Sequence, residues 1–122
     1  MVHRASATDL KNLLPLPQAT FHILVALADQ DRHGYAIMQD VASRTDGELK
    51  LSPGTLYGSI KRLLEAGLIV EVDEPRGQTS DNERRRYYRI TKFGRDVGQA
   101  EADRLTDLLR QARAAGLVAR RV

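Results

Sequence analysis

Apolar residues recur along this chain with helical spacing in four places and with alternating spacing around one polar loop. Over residues 18–28, Phe21, Ile23, Leu24, Val25 and Leu27 leave only a polar stripe of Gln18, His22 and Asp29, with Pro17 at the first turn. A helix apolar on nearly all sides is buried on nearly all sides, so this one is expected to pack on its own core and on a second subunit. A second helix is predicted over residues 35–44, with Ile37, Met38, Val41 and Ala42 inward and Asp46-Gly47 ending it. Residues 29–34 read as a polar loop between the two, and residues 48–51 alternate as a short strand would. Ser52-Pro53 then sets a capping hydroxyl before a proline at the first helical position, opening a third helix at about 53–66 that Gly67 stops. An advance of ~100° per residue puts Leu56, Ile60, Leu63 and Leu64 on one face of it. Thr55, Gly58 and Arg62 lie opposite, with Tyr57 and Lys61 on a flank.

Leu68, Val70 and Val72 alternate with Glu71 and Asp73, which predicts a half-buried strand. Residues 74–83 hold Pro75, Gly77, Ser80, Asp81 and Asn82, all turn formers. The chain returns over residues 85–90 with Tyr88 and Ile90 on one face and Tyr87 and Arg89 on the other. Thr91 caps a long last helix striped by Phe93, Val97, Ala100, Leu105, Leu108, Leu109 and Ala112 and ended by Gly116. Gly94 and Gly98 are expected to loosen its first turns, by about 1 kcal/mol each relative to Ala. A stripe this long outruns a small core, so part of it is expected to meet another chain. At the other end, residues 1–15 form an arm in which Ser6 or Thr8 caps a short turn carrying Leu10, Leu13 and Leu14, closed by Pro15 and Pro17.

A short helix with a sharp start and a polar outer face, followed at once by a hairpin with a basic return strand, is the order of parts of a winged helix. The expected class is mostly α with a small β-hairpin: a winged helix-turn-helix over residues 16–90, then a C-terminal dimerisation helix and tail over 91–122. Composition narrows the chemistry. The 42% hydrophobic and 29% charged content is globular. The lack of cysteine removes disulfides, thiolate metal sites and thiol nucleophiles, and fits a cytoplasmic protein. No apolar run approaches the ~20 residues a membrane span needs, and residues 1–9 lack the apolar core of a signal peptide. The net charge is only +3, yet residues 50–95 hold ten of the 19 basic side chains and six of the 16 acidic ones, so the basic excess sits on the third helix and the hairpin. A localised basic patch is the footprint of a polyanion binder; a solvated basic surface is the plainer alternative.

The candidate chemistry follows from that placement. An α-helix fits the major groove of DNA, and its N-terminal residues reach base edges. The amides around Gly54 and Thr55 favour anions. Ser52, Thr55 and Tyr57 can donate to phosphate, Lys61 and Arg62 supply charge, and Gly54 and Gly58 permit close backbone approach. Arg84, Arg85, Arg86 and Arg89 cluster where the loop returns, the region a winged helix lays on phosphates or in the minor groove. His3, His22 and His33 do not converge on a site, and His33 shapes the loop before the second helix. There is no metal-ligand spacing, phosphate-binding glycine loop, nucleophile motif or carboxylate pair. Neither an enzyme nor a bound cofactor is therefore expected.

Residues 22–95 resemble the PadR family of transcriptional regulators. The likeness lies in His33-Gly34-Tyr35, Ser52-Pro53-Gly54-Thr55-Leu56-Tyr57, Lys61-Arg62-Leu63, Glu65-Ala66-Gly67-Leu68-Ile69, Arg86-Tyr87-Tyr88-Arg89-Ile90-Thr91 and Gly94, and spans about three-fifths of the chain. It implies a homodimeric winged-helix repressor of the short-tailed branch, on a palindromic double-stranded operator, with a small-molecule effector. By position it implies DNA contacts from Tyr35, Ser52, Gly54, Thr55, Tyr57, Lys61 and the wing arginines Arg84, Arg85 and Arg86, with Leu68, Tyr88 and Ile90 structural. Gly58 stands where many relatives have proline. The dimer is expected to join Phe21 and Leu24 of the first helix with Leu105, Leu108, Leu109 and Ala112 of the last. Two other readings stay open: a protein-interaction adaptor on the same fold, and a sensor whose apolar dimer groove binds a small molecule first.

Overall fold

Polar side chains set the helix starts. His33, Ser52 and Thr91 each accept a first-turn amide, from Ala36, Thr55 and Gly94 respectively, leaving one fewer orphan donor at each start. In the computed structural model, which describes residues 7–74 and 85–119, the elements run α1 (Ala7–Asn12), α2 (Gln18–Leu27), β1 (Arg32–His33), α3 (Gly34–Arg44), α4 (Pro53–Glu65), β2 (Ile69–Val72), β3 (Tyr87–Ile90) and α5 (Lys92–Ala114). The third helix of the sequence pattern is therefore α4. It buries Leu56, Ser59, Ile60 and Leu63, spaced as one helical face, while Leu64 is only half-buried.

The hub is α2, which packs against α3, α4, α5 and β3. Ile23, Leu24, Ala26 and Leu27 are buried among them. Most of its apolar surface is thus taken up within its own chain, while Phe21 and Val25 stay half-buried. Leu24, expected at a subunit interface, is 2% exposed and belongs to this core, whereas Phe21 is half-buried.

The expected hairpin is β2 and β3, and a third antiparallel strand joins it to give one sheet in the order β1-β3-β2. The third strand does not come from residues 48–51. There the amides of Glu48 and Leu49 are taken by the Thr45 carbonyl and hydroxyl at 2.9 and 3.0 Å, finishing α3, and Leu51 is buried. It comes instead from the polar loop ahead of α3, where Arg32 and His33 pair with Tyr88 and Tyr87. The faces of β2 also shift by one residue, while in β3 Tyr88 and Ile90 are buried and Arg89 is exposed as the alternation predicts. Ile69 pairs with Ile90 and both are buried, while Val70, paired with exposed Arg89, points outward. Leu68 is buried but precedes the strand, its amide closing the end of α4 on Leu63. In a sheet with period two, a one-residue offset swaps the faces, which is why Val70 is solvent-side.

Gly94 does not loosen α5. A Cβ there would sit 2.0 Å from the Leu68 carbonyl oxygen, so the missing side chain is what lets α5 lie against the end of α4. Past Glu101 no residue of α5 is buried. At the N-terminal side, α1 packs on α5, Leu10, Leu13 and Leu14 lean on the core, and the buried Glu101 carboxylate accepts the Leu16 amide at 3.2 Å.

Candidate nucleic-acid interface

The exposed face of α4 begins at its cap. The Ser52 hydroxyl accepts the Thr55 amide and donates to the Thr55 hydroxyl, both at 3.1 Å. Its proton is thereby committed within the turn, and of the pair the Thr55 hydroxyl is the one left to donate outward. Gly54, Thr55, Lys61 and Arg62 are exposed and Gly58 is half-buried. Tyr57 is 53% exposed but does not project straight from the helix. A Cβ on Gly34 would lie 2.6 Å from the Tyr57 hydroxyl oxygen, so the phenol rests over the start of α3, on backbone that only glycine leaves bare. Tyr35, the next residue, is 61% exposed.

These elements enclose a polar cleft lined by His33, Gly34, Tyr35, Tyr57, Arg85, Arg86 and Tyr88. Within it His33 makes two contacts that compete. Its Nδ1 accepts the Ala36 amide at 3.2 Å, while an Arg85 guanidinium nitrogen stands 3.0 Å from Nε2. A neutral imidazole has one N–H and one acceptor nitrogen, so only one of these is a hydrogen bond. A part-buried backbone amide left without an acceptor costs about 1–3 kcal/mol, whereas the exposed Arg85 can turn to water. The helix cap wins, and Nε2 carries the proton. Burial lowers the His33 pKa, the Arg85 charge lowers it further, and Glu74 opposes them. The ring is therefore neutral at pH 7, and the Tyr87 ring edge holds it at a centroid distance of 5.3 Å.

The wing arginines divide. Arg85 faces the cleft beside His33. Arg86 stands 3.6 Å from Glu71 in an exposed pair, worth about 0–1 kcal/mol and easily released to another partner. Arg89 turns away, held by Asp31 through two hydrogen bonds of 3.0 and 2.8 Å, which also raise its pKa. It braces β3 against the segment before β1 instead of joining the cluster. Arg84 and most of the wing loop lie outside the described residues. Tyr35, Tyr57, Arg85 and Arg86 thus meet in one cleft, and the α4 side chains Thr55, Lys61 and Arg62 are exposed on the helix beside it.

Two residues around the cleft carried little sequence signal: Asp31, and His33 beyond its place in a family-like motif and a loop. Away from the cleft, Glu101 left a trace as a carboxylate interrupting the α5 stripe, where Arg104 pairs with it at 2.6 Å. Along α5, Leu105, Leu108 and Leu109 are exposed and Ala112 is half-buried. Phe21, Leu24 and Val25 of α2 face Gly98, Gln99 and Ala102 of α5 across an apolar groove. Among the described residues no helix is long and apolar enough to cross a membrane.

A family model described as the transcriptional regulator PadR-like family matches residues 23–100. A transcriptional regulator of Mycobacterium tuberculosis is 33% identical over 90 residues, covering 74% of this chain and 78% of that protein. An uncharacterized protein of Lysinibacillus sphaericus is 36% identical over 73 residues, 60% of this chain, and the match spans 64% of that protein's own length. Among solved structures, a PadR family transcription regulator from Clostridium difficile superposes with a TM-score of 0.68 at 24% identity, over 80% of this chain and 97% of that one. A transcriptional regulator from Clostridium thermocellum gives 0.66 at 23% identity, over 95% of this chain and all of the other. At those identities the two structures speak for the fold.

Proposed function

The chain belongs to the PadR-like family of transcriptional regulators, and from that premise we propose that it is a cytoplasmic, homodimeric, sequence-specific DNA-binding repressor. In this reading α4 enters the major groove and the base of the wing lies on the backbone. Its work is regulation of transcription and not catalysis.

The observation that carries the reading is a pair of glycines. Gly54 and Gly58 lie one turn apart on α4, and among the described residues a Cβ at either would meet nothing within 4 Å. Glycine inside a helix costs about 0.5–1 kcal/mol relative to Ala, and nothing in the packing of the described residues calls for it here. Close approach by another molecule does. The neighbouring side chains Thr55, Lys61 and Arg62 are exposed and polar or basic, which suits a DNA groove. An adaptor face for a protein partner would instead present apolar anchors.

Gly58→Ala separates stability from function. The variant is expected to melt several degrees higher, since about 1 kcal/mol moves a domain of this size by ~4–8 °C. Its affinity for operator DNA is expected to fall about tenfold, because the added methyl overpacks the contact. A variant that melts higher and binds as tightly as the parent would remove α4 from the groove.

A two-fold dimer reads a palindrome whose half-sites lie one helical turn, ~34 Å, or a multiple of it apart. Occupancy at a promoter represses, and a small molecule that changed the spacing of the two α4 helices would relieve repression. The apolar groove between α2 and α5 offers such a molecule its surface.

A further inference from the structure

We propose that His33 is itself a DNA-phosphate ligand: its Nε2–H and the Arg85 guanidinium hold one backbone phosphate between them in the cleft at the start of α3. This rests on the DNA-binding reading above and adds to it a residue that is otherwise only a helix cap. The capping role creates the donor. With Nδ1 occupied by the Ala36 amide, the one ring proton sits on Nε2, and Nε2 stands 3.0 Å from the Arg85 nitrogen. Two donors converge there, and only an acceptor placed between them satisfies both.

The surroundings favour an anionic acceptor. The start of α3, an 11-residue helix, contributes the positive end of its dipole. Tyr35 and Tyr57 line the same cleft, with the Tyr57 hydroxyl over Gly34, and Arg86 lines it beside Arg85. Among the described residues, the acidic groups recorded beside the cleft are Glu71, which faces Arg86, and Glu74, whose field on His33 is outweighed by burial and Arg85. A phosphate oxygen accepts from both nitrogens without disturbing the cap, because it takes nothing from Nδ1. The neutral ring adds a hydrogen bond, while Arg85 adds the charge.

Asparagine separates the two roles. Its side-chain oxygen is among the best helix caps and stands in for Nδ1, but nothing in it reaches the position of Nε2. Binding to a fluorescein-labelled random-sequence duplex, read by anisotropy with melting followed by circular dichroism, needs no knowledge of the operator. His33→Ala is expected to lower both melting temperature and affinity. His33→Asn is expected to restore the melting temperature while leaving binding about three- to tenfold weaker, with the salt slope unchanged because a neutral donor releases no counterion. Arg85→Ala, by contrast, is expected to reduce that slope by about one. If His33→Asn binds as tightly as the parent chain, His33 is a cap only and the proposal fails while the DNA reading stands. A parent chain that binds no duplex at all contradicts both.

Discussion

Replacing Leu105, Leu108 and Leu109 together by glutamate is expected to convert the proposed homodimer into a monomer and to weaken operator binding by about two orders of magnitude or more. The three residues are spaced i, i+3, i+4 on α5 and are 38%, 52% and 45% exposed in the single chain. That half of the helix has no buried residue past Glu101. Isolated helices shorter than ~12–15 residues are marginal in water, so an apolar stripe on a projecting half-helix calls for a partner. Fully burying a leucine contributes roughly 1.5–3 kcal/mol, and a two-fold contact counts each residue twice. Glutamate removes that contribution and sets like charges against each other. The DNA effect follows from linkage. Two tethered half-site contacts gain about 10²–10⁴ over one, and a monomer forfeits the gain. Sedimentation velocity beside an operator titration reads both quantities. A triple variant that remains dimeric would move the interface away from this stripe.

Gly94→Ala should be the most damaging small change in the fold. Its Cβ would lie 2.0 Å from the Leu68 carbonyl oxygen and 2.9 Å from a side-chain carbon of Ile90. The carbonyl cannot give way, because it already accepts the Thr91 amide at 3.0 Å. The one Thr91 hydroxyl proton goes chiefly to the Gly67 carbonyl at 2.7 Å, with the Leu68 carbonyl at 3.1 Å, and its oxygen accepts the Gly94 amide at 2.9 Å. One residue thus ties the end of α4, the entry to β2 and the start of α5 together, and a methyl group at Gly94 forces the elements apart. Overpacking of this kind costs about 1–3 kcal/mol or more, so the melting temperature is expected to fall by ~10 °C or more. A melt within two or three degrees of the parent would show that α5 is not seated as described.

The two glycine predictions have opposite signs, and they mark where sequence patterns suffice and where they do not. Everything about α4 was local: a capping serine, a proline at the first position, an apolar face at helical spacing, a terminal glycine. Each survives in the fold because no distant partner competes with it. Gly94 and Gly58 look alike in sequence, yet one is required by a carbonyl 26 positions earlier in the chain and the other by nothing among the described residues. Residues 48–51 alternate like a strand, but the Thr45 carbonyl and side chain claim the Glu48 and Leu49 amides first. The third strand, Arg32–His33, has no strand pattern of its own and exists because β3 presents a free edge. Val70 and Ile69 exchange faces because the turn after α4 decides where the alternation begins. At the site, exposed Thr55, Lys61 and Arg62 were readable from helical spacing. The removal of Arg89 by Asp31, and the meeting of His33 with Arg85 across 52 positions, depend on strand pairing and were not.

The most direct measurement is a titration of the full chain onto a labelled duplex from the DNA upstream of its own gene, beside a shuffled duplex of equal composition, from 50 to 200 mM salt. Binding to the natural duplex is expected to be at least about 100-fold tighter at the higher salt. Affinity for both duplexes is expected to fall steeply and linearly on a log–log plot as phosphate contacts release counterions. Equal affinity for the two duplexes, or affinity indifferent to salt, would contradict sequence-specific DNA binding.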